Sequence, residues 1–308
     1  MKKAILIVSS VMILCLMIAM YFLGKQTKTL TTQELIEIQQ NENERPLAVP
    51  LQPIYVNDHM GYSLQNDELN ITYDDGETWV TVPVKKDLLF EGEYNGNKQE
   101  LIEHSYILTK DIAAFLYTEG PDWDQKQLLL TYSFDQGETW EKTVITENFA
   151  ALRFRKVDFL NKNFGYVIVS GGRTMSQEYS TVFLTHDGGQ TWSEADNSGV
   201  TRLIYDGGFV DDKTGFLSFG IINPEEPDFY VTQDGGNSWT KAIFQIPEEF
   251  KRIFAATEVP FQEDDYLAVL LNQGPNGDYK GGEVKGKFIS RDNGKTWGYQ
   301  QEVAGNAE

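Results

Sequence analysis

TYDDGETW, residues Thr72 to Trp79, returns four times along the chain: SFDQGETW from Ser133 to Trp140, THDGGQTW from Thr185 to Trp192, TQDGGNSW from Thr232 to Trp239, and SRDNGKTW from Ser290 to Trp297. The shared form is Ser/Thr-x-Asp-x-Gly-x-Ser/Thr-Trp. Each fixed position has a chemical reason. The aspartates Asp74, Asp135, Asp187, Asp234 and Asp292 can fold a carboxylate back onto the N–H groups of the following turn. Gly76, Gly137, Gly189, Gly236 and Gly294 supply a positive φ that a side chain opposes. Trp79, Trp140, Trp192, Trp239 and Trp297 lay an apolar face across the hairpin, with an indole N–H free to find an acceptor. Five of the six tryptophans are used this way, and Trp123, in GPDWDQ, is the exception.

Successive closing tryptophans lie 61, 52, 47 and 58 residues apart. A four-stranded antiparallel sheet with its loops needs about 40 to 50 residues, so one turn marks one sheet. Ahead of the turns, strand-like segments run into a Gly-aromatic corner, as in PIYVNDHMGYSL from Pro53, VDFLNKNFGYVIV from Val157 and GGFVDDKTGFLSFG from Gly207. Alternating apolar and polar residues follow, the period of half-buried strands. HSYILTKDIAAFLYT from His104 and the segment from Ile253 match less closely.

The eight-residue turn resembles the Asp-box, or BNR, repeat of sialidases and related β-propellers. The longer unit is similar to repeats of the photosystem II stability/assembly factor class. The resemblance covers residues 52–303 and implies an all-β propeller of five blades, or six if a box-less blade is split to close the ring. It also implies that the five aspartates are structural. Fold alone leaves the chemistry open.

The N-terminus carries a different signal. After Lys2 and Lys3 comes an apolar run from Ala4 to Leu23, long enough at about 1.5 Å per residue to cross a bilayer core of about 30 Å. It ends in Tyr21-Phe22-Leu23-Gly24, bulky where a signal peptidase needs small residues. Residues 1–24 are therefore expected to be an uncleaved transmembrane anchor, 25–51 a polar stalk with a short helix from Thr31 to about Gln40, and 304–308 a tail. Met12-Ile13-Leu14 before Cys15 do not fit a lipobox. The short basic end favours the cytoplasm and puts the large domain outside, at the cell membrane, in a compartment where no disulfide can help, since Cys15 is the sole cysteine.

With 46 acidic and 26 basic side chains the net charge is −20, and beyond residue 24 there are 24 basic against 46 acidic groups. Such a field opposes binding to nucleic acid phosphates. The three histidines, His59, His104 and His186, lack ligand spacing, so no metal and no cofactor is expected. Gly281 to Phe288 mimics a phosphate loop but has Phe288 where Ser or Thr would hold magnesium, and reads as a glycine-rich surface loop. A sialidase would need an arginine triad beginning in an F-R-I-P-like strand before the first box, and that strand is missing. Loop acids such as Asp211, Glu225, Asp228 or Asp264 could form a hydrolase pair, with nothing to single one out.

One distribution stands out. Arg155 and Arg202 each lie 37 residues before the closing tryptophan of their repeat, and Arg252 lies 45 before Trp297. With Arg153 and Arg173 they would converge on one face, where a planar guanidinium pairs well with partner carboxylates. The resemblance to assembly-factor propellers implies a basic patch that engages a client polypeptide. The expectation is a membrane-anchored, non-enzymatic binding or assembly module for an envelope protein or glycan. The alternatives are an extracytoplasmic glycoside hydrolase and a structural spacer in a membrane complex.

Overall fold

The computed structural model describes residues 50–123, 125–172, 177–220, 225–274 and 277–305. The expected anchor and most of the stalk lie outside these residues. Among the described residues no helix is long and apolar enough to cross a membrane.

The described residues form five sheets in chain order. The first holds β1 (Ile54–Tyr55), β2 (Gly61–Ser63), β3 (Glu68–Thr72) and β4 (Val80–Lys85). The second holds β5 (Tyr106–Leu108), β6 (Ala113–Glu119), β7 (Lys126–Ser133) and β8 (Glu141–Phe149). The third holds β9 (Leu152–Phe159), β10 (Gly165–Gly171), β11 (Tyr179–Thr185) and β12 (Ser193–Glu194). The fourth holds β13 (Ile204–Phe209), β14 (Gly215–Phe219), β15 (Asp228–Thr232) and β16 (Thr240–Lys241). In these four sheets every strand pairs antiparallel with its sequence neighbour, and the repeated turn joins the third strand to the fourth.

The fifth sheet is built differently. β18 (Phe254–Thr257), β20 (Tyr266–Gln273), β21 (Val284–Ser290) and β22 (Thr296–Ala304) form the expected meander, with β19 (Phe261–Glu263) folded onto β20. Its outer edge is completed by β17 (Ile243–Gln245), which arrives from the preceding repeat and pairs parallel to β22. Residues 284–288, expected as surface loop, lie within β21. Alternation decides this: Gly286 and Phe288 turn toward the core while Lys285 and Lys287 turn away.

The five turns repeat one hydrogen-bond circuit. The first hydroxyl donates to the aspartate Oδ1 at 2.7–2.8 Å and accepts the glycine N–H at 2.8–2.9 Å. The aspartate also accepts the N–H of the second Ser or Thr at 2.8–2.9 Å and its hydroxyl at 2.5–2.7 Å. All five glycines take φ between +83° and +90°. Trp192 and Trp297 close their turns by donating from Nε1 to the carbonyls of Gly189 and Gly294, whereas Trp239 donates to Asp196 of the preceding segment.

Core clusters lie between successive sheets. Leu69, Ile71 and Val82 of the first meet Phe115 and Leu129 of the second. Leu128 and Leu130 meet Val157 and Val167, Ile168 meets Ile204 and Leu217, and Phe216 and Phe229 meet Val269, Phe288 and Trp297. The inner strands β6, β10 and β14 are buried along nearly their whole length instead of alternating as the half-buried strands expected from the sequence would, because both of their faces are covered by neighbouring sheets. The far side of the fifth sheet carries ion pairs instead, Lys285 to Glu258 at 2.8 Å and Lys287 to Glu263 at 2.5 Å.

Candidate functional site

Strand direction sorts the residues into two ends. The repeated turns follow the third strand of each sheet, and the first strand runs parallel to the third, so the starts of both lie at the opposite end. Arg153 and Arg155 are at or near the start of β9, Arg202 lies two residues before β13, and Arg252 two residues before β18. These four therefore occupy the same end of their sheets, the end of the long loops. Arg173 lies outside the described residues.

Their side chains meet partners within the chain. Arg155 is 2% exposed, and its guanidinium donates to the carbonyls of Leu89 at 3.2 Å, Glu91 at 3.0 Å and Tyr94 at 2.7 Å. No carboxylate among the described residues pairs with it, and burial pulls its pKa down to about 10. Arg153 donates from Nε to Glu178 at 2.5 Å and from Nη2 to the carbonyl of Ile204 at 3.0 Å. Glu178 is buried and also accepts the Ser170 hydroxyl at 2.7 Å. Arg202 pairs with Asp228 and reaches the Tyr230 hydroxyl. Arg252 pairs with Glu225 at 2.5 Å, with both side chains largely exposed.

The acceptors of Arg155 belong to a segment whose role spacing did not signal. Residues 86–94 leave the first sheet through a 3-10 turn, Lys86–Phe90, that buries Leu89 and Phe90. The segment then crosses to the third sheet, where the N–H groups of Glu93 and Tyr94 both reach the carbonyl of Leu152. Gly92, at φ +142°, makes this approach feasible, since a Cβ there would stand 2.4 Å from that carbonyl oxygen. Lys126 fixes the segment to the second sheet by donating to Glu91 at 2.9 Å and to the Gly120 carbonyl at 2.9 Å.

Among the described residues, the arginines line two clefts at this end. One, of about 460 Å³, is lined by Glu93, Tyr94, Ile102, His104, Arg153 and Arg155 among others. His104 is held below its ordinary pKa by burial and by the charge of Lys156, so it stays neutral near pH 7. The other cleft, of about 690 Å³, includes Arg202, Glu225, Glu226, Asp228, Tyr230 and Phe244 in its lining. The structure thus brings Arg153 and Arg155 to one cleft and Arg202 to another, with Arg252 tied to the second through Glu225. Of the loop acids, Asp211 accepts two backbone N–H groups of its own turn, while Glu225 and Asp228 are engaged by arginines.

The model of the DUF6242 beta propeller domain matches residues 9–267. The chain belongs to that family. This DUF6242-family propeller finds no match among curated protein sequences. Among solved structures it is similar in fold to a GH74 xyloglucanase from Xanthomonas campestris, at 13% identity and TM-score 0.41, over 80% of this chain and 35% of that one. It spans about a third of that enzyme's length. Trypanosoma rangeli sialidase is similar at 12% identity and TM-score 0.40, over 68% of this chain and 40% of that one. A protein of unknown function from Dyadobacter fermentans gives 13% identity and TM-score 0.40, with 82% and 72% covered. These likenesses concern the fold alone.

Proposed function

We propose that this DUF6242-family propeller is a non-enzymatic binding or assembly module with five Asp-box (BNR-type) blades, held outside a membrane by residues 1–24, that presents its loop end to an envelope protein or glycan. One observation carries the reading. The arginines that line the two loop-end clefts are already engaged within the chain, Arg153 with Glu178, Arg202 with Asp228, and Arg155 with three carbonyls. Walls fixed in advance favour recognition, because less ordering is left for the moment of binding. In this reading the arginines shape the face and a partner docks on what they hold in place.

Hydrolytic chemistry has less support. A glycosidase needs one carboxyl group held protonated near neutrality. Of the loop acids offered for such a pair, Asp211 is used by its own turn and Glu225 and Asp228 by arginines.

The test is site-specific photocrosslinking in intact membranes. A crosslinker at Tyr94, at the loop end, is expected to capture one discrete envelope component, and one at Glu77, in a box turn, none. Equal capture at both ends would remove the reading. Turnover in a glycoside panel that disappears in Asp228→Asn would replace it with the hydrolase.

A further inference from the structure

Trp123 is the one tryptophan that no box turn employs, and it is also the one exposed tryptophan of the six, at 60%. It stands in the loop between β6 and β7, at the loop end. Tyr94 and Tyr179, each 56% exposed, belong to the same end. An exposed indole and two exposed phenols share one end of the sheets, with Tyr94 in the lining of the smaller cleft, and side chains of these types dominate binding energetics.

The three rings sit on braced backbone. Lys126 ties the Trp123 loop, through the Gly120 carbonyl, to Glu91 of the segment that carries Tyr94. Arg155 and the Leu152 carbonyl hold that segment to the third sheet. Tyr179 follows Glu178, the partner of Arg153, and Arg153 lines the same cleft as Tyr94.

Charge identifies what such a surface would take. Four cations around it, among the described residues, are consumed internally: Lys86 on the Leu64 carbonyl, Lys126 on Glu91, Arg153 on Glu178, Arg155 on three carbonyls. The exposed charges that remain on the 85–105 and 120–123 stretches are Asp87, Glu100, Glu103 and Asp122 against Lys85 and Lys98. Glu103 keeps 90% of its side chain exposed, with His104 Nε2 at 3.8 Å. Carboxylates flanking exposed aromatic faces favour a cation, which stacks on Trp best and on Tyr next, while the carboxylates pair with the same charge.

We infer that the loop end of the second and third sheets docks a lysine- or arginine-bearing polypeptide segment, with Trp123 and Tyr94 stacking on its cationic side chains and Glu100, Glu103 and Asp122 pairing with them. This rests on the binding-module reading and names its partner class. The sign is opposite to that of an arginine patch gripping acidic clients.

The experiment uses the purified full-length chain in a neutral detergent and reads tryptophan fluorescence. At equal ionic strength, and with each ion scaled to its quenching of free N-acetyltryptophanamide, caesium is expected to quench relatively more than iodide, and Trp123→Phe to remove most of the quenchable signal. Iodide the stronger after that scaling would overturn the local charge. A fluorescein-labelled 12-residue peptide of alternating lysine and serine should give a saturable rise in anisotropy, a signal that does not depend on the indole, with an affinity weakened about five- to tenfold by Trp123→Ala. Glu103→Gln with Asp122→Asn should weaken it several-fold and flatten its salt dependence. Equal affinity in all variants, or preference for a glutamate-serine peptide, would overturn the proposal. A neutral oligosaccharide that binds and is lost in Trp123→Ala would overturn the polypeptide assignment and leave the binding module standing, whereas glycoside turnover would remove both. Unchanged melting temperatures of the variants, expected for exposed side chains, separate binding from folding.

Discussion

Arg155, in the third sheet, donates from Nη2 to the backbone carbonyl of Tyr94 at 2.7 Å, across 61 residues of sequence. The contact joins a buried guanidinium to a segment that belongs to neither of the sheets it bridges. Arg155→Lys keeps a charge but loses the fork that spans three carbonyls, since an ammonium is a point donor. It should cost about 2 kcal/mol of stability, the scale of a lost charged hydrogen bond with acceptors left buried. The same variant should speed proteolysis within residues 86–105. Urea unfolding and limited proteolysis check it, and wild-type behaviour in both would mean that Leu89, Phe90, Lys126 and the Leu152 carbonyl hold the segment without Arg155.

Acid should loosen the box turns. Asp135 and Asp187 are held at about 2, first by the hydroxyls of Thr139 and Thr191 and then by the same residues' N–H groups, against an ordinary 3.8. A carboxylate whose folded pKa lies below its unfolded one stabilises the fold above the unfolded value and loses that contribution as pH falls toward the folded one. Melting temperature should therefore hold from pH 7 to about 4 and decline between about pH 4 and 2. Asp135→Asn should be less stable at pH 7 and show a shallower acid decline. Melts at four pH values decide it, and parallel curves for the two proteins would exclude the carboxylate as the cause.

Glycine positions separate backbone conformation from space. Gly294 takes φ +86°, and a Cβ there would stand 2.3 Å from the Phe216 ring, whereas Gly199, at φ +74°, has nothing within 4 Å. Gly199→Ala should cost only the left-handed penalty, about 1 kcal/mol. Gly294→Ala must also displace a fully buried ring and should cost at least about 2 kcal/mol more. Similar losses in the two variants would mean that the fifth turn yields.

Those glycines also mark the limit of what the sequence disclosed. The turns were legible because every bond in the circuit lies within eight residues, so the spelling of Thr72 to Trp79 contains its own structure. Repeat spacing likewise placed Arg155 and Arg202 at equivalent ends of consecutive sheets. Their partners were not legible, because Leu89, Glu91 and Tyr94 approach Arg155 only through the fold, and a lone Gly92 carries no periodic signal. The parallel strand Ile243–Gln245 escaped for a related reason: three residues are too few to show a period, and the partner Thr296–Gly298 overlaps the box itself.

That added strand makes the fifth box unlike the others. Phe244, delivered by β17, stacks on Trp297 with ring centroids 6.0 Å apart and planes 10° apart, and Phe216 and Phe229 meet the same indole edge-on. Trp297 is fully buried as a result, while Trp79, Trp140, Trp192 and Trp239 remain partly exposed. Trp297→Ala should therefore cost about 3–5 kcal/mol, the range for an aromatic deleted from a packed core. Trp79→Ala, whose ring is part-covered, should cost less than half of that. Phe244→Ala should expose Trp297 and shift its emission to longer wavelength, whereas the same substitution at Ile243, which is exposed, should not. If Trp79→Ala and Trp297→Ala unfold at the same urea concentration, β17 adds nothing to the closure of the fifth sheet, and its parallel pairing is incidental to stability.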